Sequence, residues 1–324
     1  MNKRVYITVA AILAALTIAG LFWQFLATRA DTRTYPAPGR MVDVGGHRLH
    51  VHISGEGPLP VVFETGIGKP YLAWQGVLSE VGRFTRVIAY DRAGLGWSET
   101  GPRPRTSSTI VEELRRLLAA TGIRGPYILV GHSFGGVNMQ LFACRYPESV
   151  AGLVLVESSH NDQMERLYTK PLTKRIKRIK RFGLRLAAPL GLTRPFIHEP
   201  TPALTAVMRT LKHQYTFLDE VAAFPKSLDQ LTAFSPDFKD LPLTVISRNT
   251  SAATLSLRKD VPKRLMVWAA LQEDLARRST HATLIFSGKN DHHIHVSQPD
   301  LIIDAVRQMV AQVQKTSGAT GAAQ

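Results

Sequence analysis

The run Tyr127-Ile128-Leu129-Val130-Gly131-His132-Ser133-Phe134-Gly135-Gly136 constrains this chain more than any other stretch. Its first four residues are apolar and read as a buried strand, while a helical pattern runs from Phe134 to Arg145. Between them lies G-x-S-x-G. Its glycines let the backbone turn sharply without a Cβ clash, and the serine is left at the tip with its hydroxyl exposed. In this strand-turn-helix setting Ser133 reads as a nucleophile rather than a turn serine.

The rest of the chain supplies more strands of the same kind. Met41–Val44 and Arg48–Ile53 flank Gly45-Gly46, a hairpin signal. Short apolar runs follow at Pro60–Glu64, Arg86–Tyr90, Gly152–Val156, Leu243–Ile246 and Thr283–Phe286. Helical spacing appears at Ile110–Ala120, and a final helix is expected over Gln298–Val313. Apolar strands separated by helical stretches predict an α/β fold with a mostly parallel sheet covered on both faces. No apolar strand run occurs between Ser158 and Asp240, so residues 158–240 are expected to form a helical cap inserted into a core of 41–157 and 241–313. Residues 28–40, with Pro36, Pro38 and Gly39, read as a linker, and 314–324 as a disordered tail.

Val5 to Leu26 carries no charge, and as a helix it would span about 33 Å, the thickness of a bilayer core. The junction Ala27-Thr28-Arg29-Ala30 puts an arginine where a signal peptide would be cleaved, so residues 1–27 are expected to be a single-pass transmembrane anchor rather than a signal peptide. The charged flanks are nearly balanced and orient it weakly. The short N-terminal tail is easier to leave in the cytoplasm, which would put the large domain outside. The net charge is +15, and about half of it sits in Lys170 to Arg185, where half the residues are Lys or Arg and none is acidic. Leu172, Ile176, Ile179, Phe182 and Leu186 recur there at helical spacing. This fits a basic amphipathic helix at a membrane interface, with a solvated lid helix as the alternative. The charge is local and no DNA-binding module is present, so nucleic acid is not an expected partner. Cys144 is the single cysteine, which rules out an intrachain disulfide and argues against a cysteine-built metal site. With no H-E-x-x-H, P-loop or dinucleotide glycine pattern, neither a metal nor another cofactor is expected.

Over residues 41–313 the chain resembles the serine-dependent α/β-hydrolase fold superfamily, in its lipase, esterase and iminopeptidase-like members. Besides the elbow at Ser133, Tyr90-Asp91-Arg92-Ala93-Gly94-Leu95-Gly96-Trp97-Ser98 resembles the D-x-x-G-x-G-x-S segment after the fourth strand. Asp291-His292-His293-Ile294-His295-Val296-Ser297-Gln298-Pro299 resembles the G-H-x-x-H-x-x-x-P segment. The resemblance implies His292 as the general base, with His293 as a fallback and His295 as a second histidine often found there.

The acid that orients this histidine usually follows the seventh strand. Here that strand runs into Ser247-Arg248-Asn249-Thr250, which has no carboxylate. Some members carry the acid after the sixth strand, where this chain has Glu157. Glu157 is preferred over Asp162 and Asp260, and the order Ser133, Glu157, His292 agrees with the superfamily. Thr65-Gly66-Ile67-Gly68 resembles the H-G-x-x-G loop with Thr65 in place of histidine. This assigns the oxyanion-hole N–H groups to Phe134 and Ile67. Trp74 either lines the pocket or packs the helix that follows. Asp91 and Arg92 are read as a pair bracing loops near the site. The implied activity is hydrolysis of a carboxylic ester, with a lipid ester as one candidate. Aminopeptidase, haloperoxidase or acyltransferase chemistry on the same residues is the alternative, followed by a non-enzymatic membrane-tethered binding module. Epoxide hydrolase and dehalogenase chemistry is disfavoured because it implies an aspartate at position 133. Oligomeric state is not legible.

Overall fold

A computed structural model describes residues 3–167, 171–249, 251–257 and 261–321. Lys170, which opens the basic segment, and Asp260, one alternative to Glu157, lie outside these residues, as do the last three residues of the tail.

Eight strands form one sheet: β1 (Arg40–Asp43), β2 (Arg48–Ser54), β3 (Val61–Glu64), β4 (Val87–Tyr90), β5 (Tyr127–His132), β6 (Val150–Val156), β7 (Leu243–Ser247) and β8 (Ala282–Phe286). Their order is β1-β2-β4-β3-β5-β6-β7-β8. Only the β1–β2 and β2–β4 pairs are antiparallel. The parallel strands β3, β5, β6 and β7 are nearly free of exposed positions, as expected of a sheet with helices on both faces.

Two apolar layers cover the sheet. On one face α3 (Ser107–Thr121), α4 (Phe134–Arg145), α8 (Leu211–Thr232) and α10 (Lys263–Ala276) pack through Ile110, Leu114, Leu117, Val137, Phe142, Leu231 and Leu275. On the other face α2 (Gln75–Val81) and α12 (Pro299–Gly321) contribute Val77, Val81, Ile302, Val306 and Met309. The spacing of Ile110, Leu114 and Leu117 puts one stripe of α3 on the sheet. Gly122 ends that helix at φ +73°, the left-handed conformation that glycine adopts without a Cβ penalty.

The region between β6 and β7 contains α5 (Gln163–Leu167), α6 (Pro171–Ala187), α7 (Pro202–Met208) and α8, with 3-10 turns at Ala188–Leu190 and Arg194–Phe196. After β7 come the short α9 (Ala252–Ser256) and α10, and the short α11 (Ile294–Ser297) follows β8. Two boundaries differ from the sequence reading. The N-terminal helix α1 runs over Lys3–Thr34, so residues 28–34 are helix rather than linker. Its far end is held by the cap: Gln24 Nε2 donates to the Arg209 carbonyl (3.0 Å) and Asp31 pairs with Arg194 (2.6 Å). The last helix does not stop at Val313 but continues to Gly321.

Sheet register sets the spacing of the functional segments. Glu64 is level with Gly131, His132 with Val156, and Val156 with Ile246. The residues that leave the carboxyl ends of these strands therefore emerge side by side: Thr65 near His132, Ser133 beside Glu157, and Glu157 beside Ser247.

Candidate active site

Ser133 sits between β5 and α4 at φ 53°, ψ −116°, a sparsely populated conformation for a residue with a side chain. Its backbone is tied on both sides: its N–H donates to the Val156 carbonyl (3.1 Å), and its carbonyl accepts from the Ser159 N–H (3.0 Å). The glycine at 135 is required by crowding. A Cβ there would lie 2.5 Å from the Glu64 carbonyl oxygen and 2.6 Å from that of Thr65, both backbone atoms that cannot move aside.

His292 reaches this turn from the loop after β8. Its Nε2 lies 3.1 Å from Ser133 Oγ, and its Nδ1 lies 3.0 Å from Glu157 Oε2. Glu157 is fully buried and follows directly on β6 with φ 47°, a bend that directs its side chain toward the histidine loop. Its Oε1 accepts from the Arg248 backbone N–H (2.7 Å) and the Trp268 indole N–H (3.1 Å). The Arg248 guanidinium lies 3.3 Å from Oε2 and over the Trp268 ring. Burying a carboxylate is costly unless hydrogen bonds of this kind satisfy it. Asp162, by contrast, is about half exposed and accepts from Asn161 Nδ2 (2.8 Å).

Three further histidines surround the site. His132 Nε2 is 2.9 Å from the His292 carbonyl oxygen, and its ring lies 4.3 Å from that of His295, centre to centre. Burial, reinforced by the neighbouring histidines, pushes the pKa of His132 well down and that of His295 to about 3. Both rings therefore stay neutral near pH 7 and place no fixed cation beside His292. His293 points outward and is half exposed.

Ser133 and His292 open into a cavity of about 730 Å³ whose walls include Ile67, Phe134, Phe224, Arg248, Arg264 and Trp268. Phe134 opens α4, so its N–H is one of those that a helix start leaves without an intrahelical partner. Trp74 is not part of this wall, and the pocket placement considered for it is corrected: its ring is wholly buried, 5.3 Å from Phe63 and 4.7 Å from His295. Trp268, from α10, is the tryptophan that lines the cavity.

The loop carrying Ile67 is clamped by charge. Arg92, 1% exposed, donates to the carbonyls of Thr65 and Gly66 (2.8 Å each). It also pairs with Glu64 (2.5 Å) and with Glu220 of α8 (2.7 Å), and Glu220 in turn accepts from the Gly68 N–H (2.7 Å). Burial opposes the charge on Arg92, but Glu220 and Glu64 outweigh it and hold its pKa above the ordinary value. Asp91 braces the adjacent turn, accepting from the N–H groups of Tyr71 (2.8 Å) and Trp97 (3.1 Å). Arg92→Leu would strand two buried carboxylates. It is expected to destabilise the fold by about 3–5 kcal/mol, read as a lower urea midpoint.

Sequence reasoning missed Trp268, Arg248 and the role of Glu220. Arg248 stood in the segment inspected for a carboxylate, but its contribution is a backbone N–H and a guanidinium aimed back at Glu157. Nothing local marks Trp268, because its partner is 111 residues away in sequence.

The sheet order, the serine at a strained strand-to-helix turn and the histidine after the last strand define the alpha/beta hydrolase fold. The sequence profile of that family matches residues 60–302, and the chain belongs to it. An uncharacterised protein of Bacillus subtilis, YbdG, is 21% identical over 91% of this chain and 87% of its own length. Among solved structures, the haloalkane dehalogenase DbeA from Bradyrhizobium elkani superposes with a TM-score of 0.68 at 17% identity, over 86% of this chain and 98% of that one. The enol-lactonase from Burkholderia xenovorans gives 0.63 at 19% identity, over 84% and 100%. At these identities the structural likeness speaks for the fold alone.

Proposed function

We propose that this protein is a membrane-anchored serine hydrolase that cleaves a carboxylic ester through an acyl-enzyme on Ser133. The observation that carries this reading is the unbroken chain from Ser133 Oγ to His292 to Glu157, with contacts of 3.1 and 3.0 Å. Ser133 Oγ attacks the ester carbonyl carbon and its proton passes to His292 Nε2. Glu157 holds the Nδ1–H tautomer and stabilises the imidazolium. The N–H groups of Phe134 and Ile67 meet the tetrahedral oxyanion. Collapse expels the alkoxide, which takes the proton from Nε2. Water, deprotonated by the same nitrogen, then attacks the acyl-serine; the acyl–Oγ bond breaks, Nε2 returns the proton to Ser133 Oγ, and the acid is released.

The aminopeptidase alternative is less well supported. It needs a carboxylate in the cap to bind the substrate's amine, and the candidates are engaged or distant. Glu199 pairs with Lys69, Asp219 with Arg103 and Arg185, and Glu220 with Arg92. Glu165 is exposed and does not line the cavity.

A fluorophosphonate probe is expected to label the wild-type protein and not Ser133→Ala. Equal labelling of both would overturn the reading.

The membrane part rests on α1, with a mean hydropathy of 2.3 over its most apolar window, and on the exposed apolar side chains of Ile176, Ile179, Phe182 and Leu186 on α6. The turn after α6 leads to Leu190, whose backbone lies close against Gly20 of α1. This puts the apolar face of α6 near the end of the anchor that meets the cap. Protein trimmed of residues 1–27 is expected to co-sediment with anionic phospholipid vesicles at low salt, and Ile179→Ser with Phe182→Ser to abolish most of that binding. No sedimentation by the trimmed parent would remove α6 as a membrane surface and leave the anchor untouched.

A further inference from the structure

The wall of the active-site cavity is unbalanced in charge. Its described lining includes two arginines, Arg248 and Arg264, and no carboxylate. Glu157 lies just behind the wall and offsets Arg248, whose guanidinium is 3.3 Å from it. Arg264 has no such partner: among the described residues it makes no ion pair or hydrogen bond. It also sits where a cation is least comfortable. With Lys263 it opens α10, whose first turn contains no acidic residue, so both cations meet the positive end of the helix dipole. Arg264 shares the cavity wall with Ser133 and His292, while Lys263 lies exposed beside it and outside the lining. The guanidinium fork matches a carboxylate in two parallel hydrogen bonds.

From this we infer that the substrate is an ester bearing a free carboxylate, held at Arg264 while the ester carbonyl lies at Ser133. The inference rests on the serine-hydrolase reading above and names its substrate class. Arg264 acts here as a binding residue. Arg248, turned toward Glu157, adds field without being free to form the fork.

The test compares kcat/KM for a monoalkyl ester of a dicarboxylic acid with that for the dialkyl ester of the same acid, across a series of chain lengths, using the full-length protein in detergent. Wild type is expected to favour the half-ester at its best chain length. Arg264→Gln should lower that preference about tenfold, the equivalent of about 1.4 kcal/mol, and Arg264→Glu should reverse it. Raised salt should erode the wild-type preference, because the site is open to solvent. A preference that is absent in wild type, or the same in all three proteins, overturns the inference, while Ser133-dependent turnover of both esters leaves the hydrolase reading standing. If neither ester is turned over but Ser133 still takes the fluorophosphonate, protection from labelling by the free dicarboxylate decides. Protection lost in Arg264→Gln supports the inference, and no protection in wild type overturns it. If Ser133 is not labelled at all, the hydrolase reading fails and the inference with it.

Discussion

Ser133→Ala is expected to lower kcat for an activated ester on the order of 10⁶-fold, with little change in thermal midpoint. Without Oγ no acyl-enzyme can form, and His292 is left with water as the only nucleophile it can activate. In the proposed mechanism a residual rate above solution remains, because the substitution leaves the N–H groups assigned to the oxyanion untouched. The elbow should survive the change. Its shape is held by the Ser133 backbone bonds to Val156 and Ser159 and by the close approach of Gly135 to the end of β3, none of which needs the hydroxyl. Stopped assays with the alanine variant at high concentration, beside its melting curve, check both halves. Turnover within tenfold of wild type would dismiss Ser133 as the nucleophile.

The second large effect is expected from Glu157→Gln. Glutamine fills the same space and can still accept from Arg248 N–H and the Trp268 indole, so the fold should hold. It cannot present an anion to His292. With its oxygen kept at those two donors, its amide nitrogen faces Nδ1 and stabilises the wrong tautomer; the flipped amide would offer His292 only a neutral acceptor and set its NH2 against the Arg248 and Trp268 N–H groups. A loss in kcat on the order of 10⁴-fold is expected, with KM nearly unchanged, because the lost interaction is made in the transition state. A purely structural Glu157 would instead lower the melting point and leave kcat near wild type. Asp162→Asn serves as the contrast and should cost no more than a few-fold, since that side chain is half exposed and bonded to Asn161.

Much of this was legible in the sequence because its signals are local. The strand-turn-helix at Ser133 is written in ten consecutive residues. The strands announce themselves as apolar runs too short for helices, and the stretch without strands between β6 and β7 marks the cap. The absence of a carboxylate after β7 pointed to Glu157, a residue already at the end of a strand. What stayed hidden depends on contacts between distant segments. Trp74 and Trp268 look alike in sequence, yet one packs under the sheet edge against Phe63 and the other lines the cavity, a distinction made by which helix lies on which face. The continuation of α1 to Thr34 has a similar origin. Residues 28–34 are polar and lack a stop signal, and their helix is completed by Asp31 meeting Arg194 of the cap. The clamp on the Ile67 loop required knowing that Glu220, 128 residues beyond Arg92, returns to its side.

That clamp joins two parts usually thought of as separate. Glu220 of α8 holds the Gly68 N–H and the Arg92 guanidinium at once, so one buried carboxylate ties a helix packed on the sheet to the loop that carries Ile67. Disturbing either segment therefore loosens the other.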